Sequence, residues 1–153
     1  MRFTMMGLAL LLTQPLAAQT PKHDSTFHAM QMRGRVVMGV DQYTSTHKFE
    51  SLPDGGRIEL QRDVDDAKGA DLIRQHLTAI ANAFSKGDFS APATVHMKDV
   101  PGAADMSARK AAIRYEYKQL KRGGEIRITT RDPAAIRAIH AFLAFQRSEH
   151  HAH

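Results

Sequence analysis

The residues best equipped for chemistry are soft-metal donors. His28-Ala-Met30-Gln-Met32 sets an imidazole and two thioethers at alternate positions, and His47 follows after the next turn. Alternate side chains of a strand share one face, so His28, Met30 and Met32 would stack together if this segment is extended. Thioethers and imidazoles without thiolate suit copper, with methionine favouring the cuprous state. The competing reading is that the methionines fill an irregular core and His28 belongs to a polar leader. His96-Met97 is a candidate distal contributor.

His76 and His140 form a second candidate pair. Each falls at helical spacing among apolar residues, and a buried imidazole needs partners for its ring nitrogens. Either both are core histidines bonded to backbone, or they meet as ligands near an axis relating two similar halves. The tail Glu149-His-His-Ala-His153 reads as a frayed, solvated end that binds divalent metal only adventitiously.

Nine histidines and eight methionines stand beside no cysteine at all. That composition excludes thiol catalysis, iron–sulfur clusters and cysteine zinc sites. It also means that a domain in an oxidising compartment folds here by core burial alone. No glycine-rich phosphate loop follows a strand, and neither Gly-x-Ser-x-Gly nor His-Glu-x-x-His occurs. Asp65-Asp66 sits at a helix start, where the helix dipole accounts for it. A small hydrolase or isomerase would have to use His47 or His76 with Asp41, and ranks last. No catalytic residue is assigned.

The elements that must position these residues follow from periodicity. Residues 19–29 are polar and aperiodic, as expected of a flexible leader. Met30 to Val40 reads as a first strand. Thr44–Glu50 and Arg57–Arg62 alternate about Pro53-Asp-Gly-Gly56, a hairpin signal. A helix capped by Asp65 or Asp66 follows, with Ile73, His76, Leu77, Ile80 and Phe84 on one face and Gly87 beyond its end. The plan then recurs. Ile113–Tyr117 and Glu125–Thr129 alternate about a Gly-Gly turn, and Asp132-Pro133 opens a helix whose inner face is Ile136, Ile139, His140 and Leu143. Leu52-Pro-Asp-Gly-Gly-Arg-Ile-Glu-Leu60 lies over Leu120-Lys-Arg-Gly-Gly-Glu-Ile-Arg-Ile128 without a gap. The expected fold is α+β: duplicated β-β-α units, about 42–86 and 111–148, with helices packed on one face of an antiparallel sheet. Residues 85–110 read as a long connector between them. One domain spans 30–148, followed by the His-rich tail 149–153.

At the N-terminus, Arg2, the apolar run Phe3–Leu12, Pro15 and Ala17-Ala18 have the order of a cleavable secretory signal, residues 1–18. The run is far short of the ~20 residues of a membrane span, so no stable membrane insertion is expected after cleavage. The mature chain would begin at Gln19 in the periplasm or outside the cell. Losing Arg2 from 21 basic against 16 acidic residues lowers the formal charge from +5 to +4. Basic and acidic residues alternate, as in Arg57-Ile-Glu59, so nucleic acid is not an expected partner.

Met32-Arg-Gly-Arg-Val-Val-Met-Gly-Val-Asp-Gln-Tyr-Thr-Ser-Thr-His-Lys-Phe49, with Pro53–Arg62 and Ala141-Phe-Leu-Ala-Phe-Gln146, resembles a family of small exported bacterial proteins of unknown function. The resemblance covers most of the mature chain and implies export but no catalytic residues. Some such sequences are associated with aspartate carbamoyltransferase, whose Ser-Thr-Arg-Thr phosphate motif is missing here. Two readings remain: a periplasmic binding protein with copper as its cofactor, or a non-catalytic structural or interaction module docking another envelope protein.

Overall fold

The computed structural model describes residues 22–39 and 42–150. The proposed signal, residues 1–18, lies outside the described residues, as do Asp41 and positions 151–153 of the tail.

Alternation about two glycine-rich turns produces two hairpins. β1 (Ser45–Leu52) pairs with β2 (Gly55–Arg62), and β3 (Ile113–Leu120) pairs with β4 (Gly123–Thr130). The hairpins join through β2 and β4, giving one antiparallel sheet of order β1-β2-β4-β3 in which Ile58 faces Ile126 and Leu60 faces Gly124. The fold is α+β. One face carries Phe49, Ile58, Leu60, Ile126 and Ile128, all buried. The other is a lattice of mixed charge, with Lys48–Glu59 at 3.4 Å, Arg57–Glu50 at 2.5 Å and Lys118–Glu125 at 3.7 Å. The alternation of charge in the sequence is therefore a charged sheet face, on which Lys48 and Lys118 reach solvent and cover Glu59 and Glu125.

Two long helices cover the apolar face. α2 (Ala67–Ser85) is capped by Asp66, whose carboxylate accepts from Gly69 N at 3.0 Å. α5 (Pro133–Glu149) is capped by Asp132, which accepts from Ala134 N at 2.8 Å. Each helix lies over the other hairpin: α2 packs on β3 and β4, whereas α5 packs on β1 and β2. Gly56 permits the close approach of α5, since a Cβ there would stand 2.2 Å from Leu143 Cδ1.

Three expectations need correction. Of the predicted first strand, Met30–Val40, the part from Met30 to Met38 is instead the second half of a helix, α1 (Lys22–Met38), which also replaces most of the expected flexible leader. Its buried positions Met30, Gln31 and Gly34 recur at helical spacing and face α3, and Arg33 Nε donates to Val95 O at 2.7 Å. That packing outweighs the strand preference of Val36 and Val37. The expected connector holds two short helices, α3 (Ser90–His96) and α4 (Ala103–Ala108), because Phe89, Val95, Val100 and Met106 are all buried. The buried stripe of α5 is Ala135, Ala138, Ile139, Phe142, Leu143 and Gln146, with Ile136 and His140 on its flank. Among the described residues no helix is long and apolar enough to cross a membrane.

Candidate functional site

The apolar face closes incompletely where β1, the middle of α2, α3 and the end of α5 converge beneath Val37 of α1. The space left is a cavity of about 80 Å³ walled by Phe49, Ile58, Leu77, Phe84, Val95 and Phe142. Four imidazoles line it, each brought by a different element. His47 comes from β1, His76 from α2, His96 from the end of α3 and His150 from the C-cap of α5.

Local structure explains each placement. His47 shares strand parity with Phe49, so it points to the helix side, and its ring stacks on Phe49 with centroids 5.5 Å apart. His76 sits beside Leu77 on the flank of the buried stripe of α2. α3 stops at His96 because Met97 takes the left-handed conformation, with φ of 55°. His150 lies one turn beyond Gln146 and extends the inner stripe of α5. The His150 ring centroid is 5.1 Å from that of His47 and 5.2 Å from that of His96.

Electrostatics follow from the apolar walls. Burial pushes the His47 imidazole down to about 4, helped by the neighbouring His76, and burial alone pushes His76 down to about 4. Burial also lowers His96, against the opposing pull of the Gln146 hydrogen bond and the Glu149 carboxylate. These three rings are therefore neutral at neutral pH. His96 Nε2 lies 3.0 Å from Gln146 Oε1, which assigns the proton to Nε2. Its Nδ1 then carries the lone pair, 3.7 Å from Glu149 Oε2, which Lys98 holds at 3.0 Å. His96 Nδ1 and Gln146 Nε2 are buried without a hydrogen-bond partner. No hydrogen-bond partner is found for the ring nitrogens of His47 or His76 either, among the described residues.

The expected soft-metal cluster is not assembled as the sequence implied. On a helix, positions 28 and 30 point to different sides. His28 is exposed, with Nδ1 3.2 Å from Tyr43 Oη; Met30 is buried, and Met32 is 48 % exposed. His47 lines the cavity instead. His140 does not meet His76: its Nε2 lies 2.9 Å from Leu52 O and 3.0 Å from Gly55 O, so it donates to the first hairpin turn as a satisfied backbone tie. His76 does reach a shared site, with His47. Sequence reasoning placed His96 in a connector and His150 in a frayed tail. The missed signal was helical spacing: Pro92, Val95 and His96 form one inner face, and the α5 stripe continues from Gln146 to His150.

Among the described residues no three His, Asp or Glu side chains stand close enough to hold a metal ion together. Among the described residues no carboxylate lines the cavity; Asp41, the partner expected for His47 or His76, lies outside them. No protein-family model matches the chain, and no curated protein or solved structure matches it.

Proposed function

We propose that the chain is a small exported binding protein whose ligand occupies the histidine cavity. The observation that carries this reading is the pair His47 and His76, whose rings face one apolar cavity with no hydrogen-bond partner among the described residues. Close by, the buried Nδ1 of His96 has no hydrogen-bond partner, and leaving such a group unpaired costs on the order of 1–3 kcal/mol, a cost that a bound ligand would offset. At about 80 Å³ the cavity is far below the roughly 300–1,000 Å³ of sites for drug-sized ligands. The ligand is therefore an ion or a molecule of a few heavy atoms, and a soft metal such as copper fits the donor chemistry. Export through residues 1–18 and a periplasmic or secreted location belong to the same proposal, as does duplication of the hairpin–helix unit, supported by the ungapped match of Leu52–Leu60 to Leu120–Ile128.

Native mass spectrometry of untagged protein from the periplasmic fraction tests the reading. The wild type should begin at Gln19 and carry one extra small mass. Ala91→Leu, which fills the cavity from α3, should fold and lack it. A wild type that carries nothing, from cells supplied with a range of trace metals, would sink the proposal.

A further inference from the structure

We propose that β3 is a docking edge for a second copy of this chain, the two β3 strands pairing antiparallel about a twofold axis at Tyr117. The two sheets would then run on as one. This surface is separate from the histidine cavity and does not depend on it.

Sheet order leaves β1 and β3 with one unpaired side each. The register says which backbone groups point out. Lys121-Arg122 is a two-residue turn, so Leu120 and Gly123 close the hairpin by exchanging both hydrogen bonds. Counting back, Lys118, Glu116 and Arg114 also bond to β4, and the N–H and C=O of Tyr115, Tyr117 and Gln119 point away from the sheet. The same count turns Phe49 outward on β1, where Arg147 Nη1 donates to Phe49 O. A side chain of α5 thus blocks the middle of that edge. The outward backbone groups of Tyr115, Tyr117 and Gln119 have no hydrogen-bond partner among the described residues. The β3 edge is open.

Charge selects the occupant and the register. Arg114, Glu116 and Lys118 share the charged face and are 75 %, 60 % and 71 % exposed. For outward groups to meet outward groups, a twofold axis must pass at a residue and not between two. At Glu116 it would set Glu116 against its own copy and Arg114 against Lys118, all like charges. At Tyr115 it would match Arg114 to Glu116 but lay Lys118–Leu120 against Lys110–Ala112, which is a 3-10 turn and not a strand. At Tyr117 it sets Glu116 opposite Lys118 twice over, and Arg114 to Leu120 pair wholly within the strand. The edge is therefore complementary to itself, as a twofold interface requires.

Helix packing agrees. α2 lies over β3 and β4 alike, and strands stand about 4.8 Å apart, so the two α2 axes would run about 10 Å from each other, an ordinary helix–helix spacing. Arg74 marks the flank above β3, donating to Leu120 O at 3.0 Å. Thr78 and Asn82 follow it at one-turn steps, both short, polar and exposed.

Sedimentation velocity of the untagged mature chain, at about 50 mM salt to limit screening, should show a monomer–dimer equilibrium. Glu116→Lys and Lys118→Glu should each weaken the dimer roughly tenfold or more, because two repulsive pairs replace two attractive ones. The double reversal Glu116→Lys/Lys118→Glu should restore it, and Arg114→Glu should leave it unchanged. Amide exchange at Tyr115, Tyr117 and Gln119 should slow as protein concentration rises. A wild type that is still monomeric at about 1 mM overturns the inference. So does a dimer that Lys118→Glu leaves intact or that Arg114→Glu dissociates. The exchange measurement needs no variant, and a dimer in which those three amides are unprotected is decisive against this edge even if a variant fails to fold.

Discussion

His140 and His47 show how one residue type takes two roles on neighbouring surfaces. His140 spends its Nε2–H on Leu52 O and Gly55 O, tying α5 to the turn of the first hairpin. His140→Leu should therefore cost about 1–3 kcal/mol in urea unfolding, because two carbonyls lose a donor. It should leave ligand binding in the cavity unchanged. His47 and His76 predict a pH dependence instead. Their folded values, about 4, lie below the unfolded value of 6.5, so the unfolded chain takes up protons first. Stability is then complete above pH 6.5 and falls as pH drops toward 4. Between pH 7 and pH 5 the ligand-free protein should lose on the order of 2 kcal/mol per ring. Replacing His47 by Phe should remove about half of that slope in paired urea titrations. A slope that His47→Phe leaves untouched would show that this ring is solvated.

At the scale of the element, α1 differs from α2 and α5. It rests on α3 and touches α2, and it carries the exposed apolar side chains Met32 and Val36. Its hold includes the bond from Arg33 to Val95 O near the end of α3. Arg33→Ala should loosen α1 over the cavity, raising amide exchange across 22–38 while leaving β2 and β4 protected. Equal exchange in the wild type and the variant would mean that buried Met30 and Gly34 hold the helix without it. The sheet–helix contact is tighter. A Cβ on Gly56 would meet Leu143 Cδ1 at 2.2 Å and Glu50 O at 2.9 Å. Gly56→Ala should cost about 1–3 kcal/mol through overpacking, read as a lowered Tm.

Over the whole molecule, the crossed helices decide cooperativity. α2 belongs in sequence to the first hairpin but buries Ile73 and Leu77 over β4 of the second, where Gly123 and Gly124 let it approach. α5 does the reverse on β1 and β2. A fragment ending near Gly87 therefore keeps its helix but loses the strands that cover it. Residues 42–86 alone should give a coil-like far-UV spectrum, and the full chain should unfold in one transition. A folded fragment would show that the halves are independent.

Much of this was legible from local signals. Period-two alternation at Arg57–Arg62 and Glu125–Thr129, the Asp66 and Asp132 caps and the stripe through Ile73, Leu77 and Phe84 depend on near neighbours, and the hairpins and long helices formed where those signals lay. The parity that aims His47 toward the helices is likewise a property of the strand itself. Tertiary packing decided the rest. Met30 to Val37 has side chains that fit a strand or a helix, and the surface offered by α3 selected the helix. His96 and His150 lie 54 residues apart in a chain whose local pattern says nothing about their meeting. Their rings come within 5.2 Å because α3 ends, and α5 ends, at the same corner of the sheet. Which imidazoles share a cavity is a matter of long-range closure, and a sequence read one segment at a time carries no term for it.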